Sequence, residues 1–261
     1  MRKNDTSAVT PVDILVALVL LTRLPLPKLP ATAFEQQARS VWAFPVAGLC
    51  VGVSAAAVGW VLISVGLPLA IAAGAILACQ IVLTGAMHED GLADCADGFW
   101  GGYDPARRLE IMKDSQIGTY GVLALLFSVG FRWGALMVVL PVMGPGSIIA
   151  IAMLSRAPMG MVMAIVPNAR GTGLSSQVGK PTRAHAGLGI SLALLLSWPM
   201  LGFPALILCA VVVSIFATLC ATLAQTKIKG QTGDVLGATQ QVCEGAMLLC
   251  LAALTTSMGA S

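Results

Sequence analysis

Long apolar runs and short polar segments alternate along the chain. A bilayer core requires about 20 apolar residues per helix, and most of the runs approach that length. The first run is short, since about 14 residues rise only about 21 Å, so it either half-spans or lies in the membrane interface. Eight runs predict helices at 11–24, 41–64, 67–87, 119–140, 146–166, 186–201, 202–224 and 241–258. We therefore predict an all-α, polytopic membrane bundle of about seven or eight helices.

The charged residues divide this bundle into two ends. The links near 65–66, 141–145 and 199–204, the last marked by Pro199 and Pro204, carry no charge. If each link is a hairpin, the charged segments all lie on one side of the membrane. These segments are 23–40, 88–118, 167–185 and 225–240. Because they hold most of the Lys and Arg, the positive-inside rule makes that side cytoplasmic. We expect one membrane-embedded domain over residues 1–261, with a polar site facing the cytoplasm.

Composition agrees with a membrane protein. The chain is 57% hydrophobic and 10% charged, and its mean hydropathy is +0.88. Soluble domains are typically about 45–50% apolar and about 25% charged. The net charge is only +3, and no basic stripe with interleaved aromatic residues occurs, so no nucleic-acid partner is expected. Small-molecule substrates and membrane lipid are the expected partners, and a homo-oligomer is compatible with the sequence.

Negative charge is concentrated in one stretch, "MHEDGLADCADGFWGG" at 87–102. On a helix, Asp90, Asp94 and Asp97 fall within an arc of roughly 60°, whereas Glu89 points elsewhere. Such a stripe repels itself unless a cation neutralises it. Oxygen ligands suit Mg²⁺ or Mn²⁺, and Mg²⁺ often shares substrate phosphate oxygens. The three aspartates therefore predict a metal and diphosphate site, with a solvated acidic loop as the alternative. His88 is either a ligand or base, or a polar residue at the membrane edge.

The next segment predicts a short helix. Asp104 is placed to cap it, Pro105 to occupy its first position and Gly118 to end it. Mixed cations and carboxylates on this helix suit phosphoryl transfer, because cations neutralise phosphate oxygens and carboxylates hold metal. The alternative is a surface helix with internal ion pairs. The residues concerned are Arg107, Glu110, Lys113 and Asp114.

Two arginines lie inside apolar runs. Arg132 and Arg156 are predicted at similar depths in consecutive spans. An arginine at a helix centre costs about 2.5–3.5 kcal/mol on insertion scales, and such residues normally face the bundle interior. They are expected to bind substrate phosphate or to pair with a carboxylate of the acidic segment. Snorkelling towards the interface is the alternative.

A last polar group precedes the final span. Asp234 follows Gly233, where a helix is expected to begin, and Gln241 and Glu244 continue the same stripe. Asp234 is either part of a metal or polar-substrate site or simply an N-cap.

Five motifs, in order, resemble those of the cobalamin synthase family, the adenosylcobinamide-GDP ribazoletransferases. They are "RLPLP" at 23–27, "FPVAG" at 44–48, "HEDGLADCADG" at 88–98, "IMKDSQIGTYG" at 111–121 and "TGDVLGA" at 232–238. The resemblance implies a late step of cobalamin assembly that is Mg²⁺-dependent and takes place in the bacterial inner membrane. In this step, α-ribazole or its 5′-phosphate attacks adenosylcobinamide-GDP and GMP leaves.

The resemblance suggests roles for the candidate residues. The three aspartates, helped by Asp114, would hold Mg²⁺ on the diphosphate. Lys113, Arg107 or Arg108 would stabilise the leaving GMP, and a carboxylate or His88 would orient the ribazole hydroxyl. A CDP-alcohol phosphotransferase, an aspartate-rich prenyltransferase and a transporter with intramembrane arginines are the alternatives. The phosphotransferase motif requires Ala-Arg shortly after Asp-Gly, and Asp90-Gly91 is not followed by that pair. A prenyltransferase would have two acidic motifs, and only Asp234 could supply the second. A transporter predicts a sequence repeat between its halves, and none is visible.

Overall fold

The computed structural model describes residues 8–259, and these residues form helices without any strand. Two 3₁₀ segments, Ala31–Phe34 and Gln37–Ala43, precede the second α-helix. The α-helices are α1 Val12–Leu21, α2 Phe44–Ser64, α3 Leu69–Thr84, α4 Met87–Gly101, α5 Pro105–Ile111, α6 Thr119–Met143, α7 Pro145–Ile165, α8 Leu174–Val178, α9 Arg183–Leu201, α10 Phe203–Ile228 and α11 Gly233–Gly259.

Six of the described helical segments are long and apolar enough to cross a membrane. They are Gln37–Ser64, which joins a 3₁₀ segment to α2, then α6, α7, α9, α10 and Gly233–Thr256 of α11. Counting α3 and α4 together as one broken span gives seven. The protein is therefore a multi-pass, all-α membrane bundle, as predicted. α1 has only 10 residues and is shorter than the predicted run.

Glycines form the tight links between consecutive spans. Gly144 separates α6 from α7 with φ +70°, and Gly202 separates α9 from α10 with φ +72°. Glycine adopts positive φ without the steric cost that a side chain incurs. The predicted bend between Pro199 and Pro204 is confirmed. Pro199 lies inside α9, Pro204 lies in the first turn of α10, and Gly202 makes the turn.

The four charged segments meet at one end of the bundle, as the hairpin argument predicted. The Gln37 side chain donates to the Gln177 carbonyl at 2.9 Å, which joins segment 23–40 to segment 167–185. Arg108 donates to the Lys227 carbonyl at 2.9 Å, and Arg170 pairs with Asp234 at 2.9 Å. These contacts connect all four segments at the polar end of the fold.

The acidic stretch is a helix, but it does not continue the preceding span. Predicted as one run over 67–87, the chain instead breaks at Gly85 and Ala86, whose φ angles are +63° and +57°. α4 then leaves α3 at 88° and lies outside the six spans. A side chain at Gly85 would meet Arg23, since a Cβ there would be 2.7 Å from the arginine Nε.

The predicted end of α5 was wrong. α5 ends at Ile111 rather than near Gly118, because Met112 leaves the helix and packs against Gly98, where it is only 2% exposed. Gly118 instead precedes α6. The predicted helix start at Gly233 is confirmed: α11 begins there, ahead of the apolar run at 241–258. The expected cap and first residue of α5 are confirmed: Asp104 accepts from Ala106 N at 2.9 Å and Arg107 N at 3.0 Å, and Pro105 begins the helix.

Candidate active site

A close crossing of α4 and α11 brings two acidic motifs together. Gly91 faces the backbone of Asp234, and a Cβ at Gly91 would lie 2.6 Å from the Asp234 carbonyl oxygen. One turn further along α11, a Cβ at Gly237 would lie 3.1 Å from His88 Cα. α4 continues as one helix through Gly91 and Gly98. Gly91 allows its backbone to reach the start of α11, whereas Gly98 packs against Met112 and Arg108.

Asp94 lies at the centre of a group of carboxylates. Burial raises the pKa of Asp94 to about 7, with further contributions from the charges of Asp234, Asp90 and Asp97, while Arg170 opposes the shift. Such a site holds more negative charge than its protein cations neutralise, so a bound cation or a proton is favoured there. Asp234 joins this group from α11, although it is distant from the acidic stretch in sequence.

Arg170 is the cation of this site, although its position in the sequence did not predict a role there. Its Nη1 lies 2.9 Å from Asp234 Oδ2, and its Nη2 donates to the Leu109 carbonyl at 3.4 Å. The Asn168 side chain holds the loop by accepting from the backbone N–H groups of Arg170 and Gly171. In the sequence, the positive charge of Arg170 indicated only which side of the membrane its segment occupies. The glycines that follow it were the available sign of a ligand-binding loop.

Thr232, rather than Asp234, caps α11. The Thr232 hydroxyl accepts from Val235 N at 3.3 Å and donates to Asp234 Oδ2 at 3.2 Å. The N-cap interpretation of Asp234 is therefore wrong. The Asp234 carboxylate pairs with Arg170 and lies near the other acids. Of the two predicted roles of Asp234, membership of a metal or polar-substrate site therefore remains.

Asp97 serves α6. Its Oδ2 accepts from Gly118 N at 2.7 Å and its Oδ1 accepts from Gly121 N at 2.9 Å. These N–H groups belong to the unsatisfied first turn of a helix, where a carboxylate is favoured. Both oxygens are thus already engaged, so the geometry favours Asp234 over Asp97 as the third carboxylate beside Asp90 and Asp94. The predicted ligand set of Asp90, Asp94 and Asp97 stays a prediction.

Within residues 8–256, no three His, Cys, Asp or Glu side chains converge as a preformed metal cage. This arrangement still fits Mg²⁺, which is commonly held by one or two carboxylates together with water and substrate phosphate oxygens. The excess of carboxylate charge around Asp94 supplies the chemistry that such a shared site needs. Asp90, Asp94 and Asp234 are the residues that would hold the ion.

A cavity of about 220 Å³ opens beside this group. One wall carries polar side chains: His88, Asp90, Arg170, Thr232 and Asp234. The other wall is apolar and includes residues of α1, α2, α7 and α8: Leu20, Leu21, Phe44, Met159, Met163 and Val178. The cavity thus places an apolar pocket directly against the charged site.

His88 belongs to the polar wall. It is 1% exposed, and its Nε2 has no hydrogen-bond partner. The charges of the buried Arg156 and Arg132 act on its ring, so His88 connects the cavity lining to the polar interior of the bundle.

The two intramembrane arginines lie in the protein interior. Arg132 is 1% exposed and lies 3.3 Å from Glu89 and 3.2 Å from Glu244. Of its two predicted roles, pairing with the acidic segment is therefore observed. Arg156 is 2% exposed, and its Nη1 donates to the Ala152 carbonyl at 2.9 Å. Neither arginine lines the cavity, and phosphate binding by either one stays a prediction.

The candidates around α5 are not brought into the cavity. Arg107 and Glu110 form an exposed pair at 2.7 Å, which matches the alternative of internal ion pairs. Arg108 donates to the carbonyls of Gly102, Tyr103 and Lys227, so its guanidinium joins the α4–α5 turn to α10. Lys113 and Asp114 are exposed in the turn after α5. Their roles stay predictions, whereas Arg108 is already occupied by backbone carbonyls.

Comparison with known proteins identifies the family. The model of a family described as cobalamin-5-phosphate synthase matches residues 13–252. A Sinorhizobium protein named adenosylcobinamide-GDP ribazoletransferase is 41% identical over 251 residues, covering 92% of this chain and 95% of the relative. A relative of the same name from Bradyrhizobium diazoefficiens is 40% identical over 242 residues, covering 92% and 93%. No solved structure matches the chain. The chain belongs to the cobalamin-5-phosphate synthase family.

Proposed function

We propose that the protein transfers the cobinamide phosphate group of adenosylcobinamide-GDP to α-ribazole or its 5′-phosphate, with Mg²⁺ as cofactor. The names of its relatives supply the two substrates. The observation that carries the proposal is the meeting of Asp90, Asp234 and Arg170 in the lining of one cavity, with Asp94 close enough for their charges to act on it. Carboxylates for a metal and a cation for phosphate are the groups that phosphoryl transfer requires.

The reaction is a substitution at phosphorus. A ribose hydroxyl oxygen of the acceptor, one that is also free in the 5′-phosphate, forms a bond to the phosphorus that carries cobinamide. The bond from this phosphorus to the bridging oxygen breaks, and GMP leaves with that electron pair. The hydroxyl proton passes to a carboxylate of the site or to His88. Mg²⁺, when bound, neutralises charge on the diphosphate oxygens.

The residues of the chain position these groups. Asp90, Asp94 and Asp234 hold the cation, and Arg170 binds a phosphate oxygen by exchanging part of its pairing with Asp234. His88 orients the acceptor hydroxyl from the buried side of the cavity. Since positioning and charge stabilisation account for most of phosphoryl-transfer catalysis, no strong base is needed. We place the site on the cytoplasmic face of a bacterial inner membrane, where nucleotide substrates occur.

Replacement of Asp94 by Asn tests the proposal. The purified protein, in detergent, is assayed for cobalamin formation and GMP release with adenosylcobinamide-GDP, α-ribazole and excess Mg²⁺. Losing the central carboxylate should lower the rate by at least about 100-fold. Asp104→Asn is the matched control, because asparagine caps a helix about as well as aspartate.

Three results would contradict the proposal. Wild-type protein that forms no cobalamin under any metal condition would refute the proposed activity. Equal rates with and without Mg²⁺ would refute the role of Mg²⁺ as cofactor. An Asp94→Asn variant with the wild-type rate would show that Asp94 is not part of the site. A transporter, unlike the proposed enzyme, would release no GMP.

A further inference from the structure

The cavity beside the carboxylates has two chemically different walls. His88, Asp90 and Asp234 belong to its polar wall, whereas Phe44 and Met163 belong to a wall without side-chain hydrogen-bonding groups. A ligand in this cavity must therefore combine a polar part, directed towards the acids, with an apolar part that needs no hydrogen bonds.

The apolar wall is built into the fold rather than contributed by a loop. α2 and α7 cross so closely that a Cβ at Gly48 would overlap the Ala152 carbonyl. Phe44 lies one turn before Gly48 on α2, and Met159 and Met163 lie further along α7. These three side chains are only 3%, 3% and 2% exposed. Tight helix packing fixes the shape of this wall, so the cavity is largely formed before a ligand binds.

Size limits what the cavity can hold. Its volume is about 220 Å³, whereas small-molecule pockets typically occupy about 300–1,000 Å³. A corrin macrocycle or a complete nucleotide diphosphate does not fit. One ring system fits, with a sugar continuing towards the charged wall.

Polarity then distinguishes the two bases present in the proposed reaction. Guanine carries several donors and acceptors, which would lose water without gaining partners against Phe44, Met159 and Met163. The dimethylbenzimidazole base of ribazole is flat and mostly apolar. Aromatic rings pack favourably on other aromatic rings and on methionine sulfur. The apolar wall therefore fits the acceptor base and disfavours the guanine of the donor.

We propose that this cavity is the acceptor subsite, in which Phe44, Met159 and Met163 contact the apolar base and select for it. The ribose then lies against the polar wall, where its free hydroxyl groups reach Asp90 and Asp234. The inference rests on the proposed function for the identity of the acceptor. It adds the location of the base and the residues that determine its specificity.

Binding of α-ribazole to the purified full-length protein, without metal or donor, tests this subsite. Calorimetry in detergent measures the affinity. Met163→Ala removes one wall of the pocket and should weaken binding about tenfold, the size expected for losing apolar contact in a pocket. Met163→Leu keeps the volume and should bind almost as wild type does. Met161→Ala is the matched control, because Met161 lies on the same helix but lines a different groove, between α7, α9 and α10.

A second variant guards against a folding defect in Met163→Ala. Val178 is 7% exposed and lines the cavity from α8, so Val178→Phe should narrow the pocket and also weaken α-ribazole binding. Competition with guanosine measures selectivity, and guanosine should displace α-ribazole poorly from the wild-type protein.

Several results would overturn the acceptor subsite. The wild-type protein could fail to bind α-ribazole, or guanosine could compete with α-ribazole equally well. Met163→Ala and Val178→Phe could also both bind α-ribazole with the wild-type affinity. A change in the KM for adenosylcobinamide-GDP, with acceptor binding intact, would assign the cavity to the donor instead. The binding assay needs neither Mg²⁺ nor turnover. An active wild-type enzyme with an unaffected Met163→Ala would therefore refute only the subsite, and an inactive wild type would refute the proposed function.

Discussion

At the scale of single residues, the pKa of Asp94 makes a testable link between protons and metal. This pKa is raised to about 7 by burial and by Asp234 and Asp90, so the folded protein binds the proton more tightly than the unfolded chain does. The resulting stabilisation is complete below the unfolded pKa, near pH 4, and is lost as pH rises to about 7. The metal-free protein should therefore lose thermal stability across this range, whereas Asp94→Asn should lose less.

Mg²⁺ should reverse this trend, because it competes with the proton for the same carboxylate. Added Mg²⁺ is expected to raise the Tm more at pH 8 than at pH 5.5, and Asp94→Asn should show a smaller rise. Thermal unfolding in detergent, with and without the metal, measures both effects. An equal Mg²⁺-induced shift at the two pH values would argue against binding at Asp94.

Arg132 presents a second residue-scale prediction. Arg132→Met leaves Glu89 and Glu244 buried without their cation, and such broken buried pairs cost about 3–5 kcal/mol. The variant should unfold at a clearly lower temperature. Arg107→Met, which breaks a fully exposed pair, should leave the unfolding temperature almost unchanged. Removing one carboxylate as well, in the double variant Arg132→Met with Glu89→Gln, leaves Glu244 with the buried Arg156 and should recover most of the stability. A double variant as unstable as the single one would show that the charges do more than balance one another.

At the scale of helices, the α4–α11 crossing controls the distance between the two acidic motifs. Gly91→Ala should push α4 away from Asp234, because the added Cβ would lie 2.6 Å from a backbone oxygen. A displacement of about 1 Å at a catalytic site can cost up to about 100-fold in rate. Gly130→Ala on α6 is the matched control, since nothing lies within 4 Å of a Cβ at that glycine. Activity assays in detergent compare the two variants, and equal rates would contradict the role of the crossing.

The same elements show what the sequence could predict. Hydrophobic runs predicted the spans, because burial in lipid depends on local composition. The helical stripe placed Asp90 and Asp94 together, because helix geometry is also local. The break at Gly85 and Ala86 was missed, since positive φ at an alanine reflects packing around it. Arg170 was missed for a related reason: its partner Asp234 is distant in sequence, and hydropathy carries no information about that contact.

At the scale of the whole molecule, the polar end carries every group that the proposed chemistry uses, so its orientation decides which substrates it meets. Lys180 lies exposed at that end, and Val65 is 70% exposed in the uncharged link at the other end. The positive-inside rule predicts that the end with Lys180 is cytoplasmic.

The native cysteines allow this orientation to be tested by cysteine labelling. Cys95, Cys209 and Cys243 are buried, and the other four are partly buried in helices. Labelling of introduced, exposed cysteines should therefore exceed the background.

Lys180→Cys and Val65→Cys test this orientation with a membrane-impermeant maleimide. We expect Lys180→Cys to react in inverted membrane vesicles and to be protected in intact spheroplasts. Val65→Cys should show the opposite pattern, and the unmodified protein sets the background in both preparations. The reverse pattern would place the carboxylates on the periplasmic side, away from the cytoplasmic nucleotide pool. An enzyme that uses a guanosine diphosphate donor then could not reach it, so this measurement bears directly on the proposed reaction.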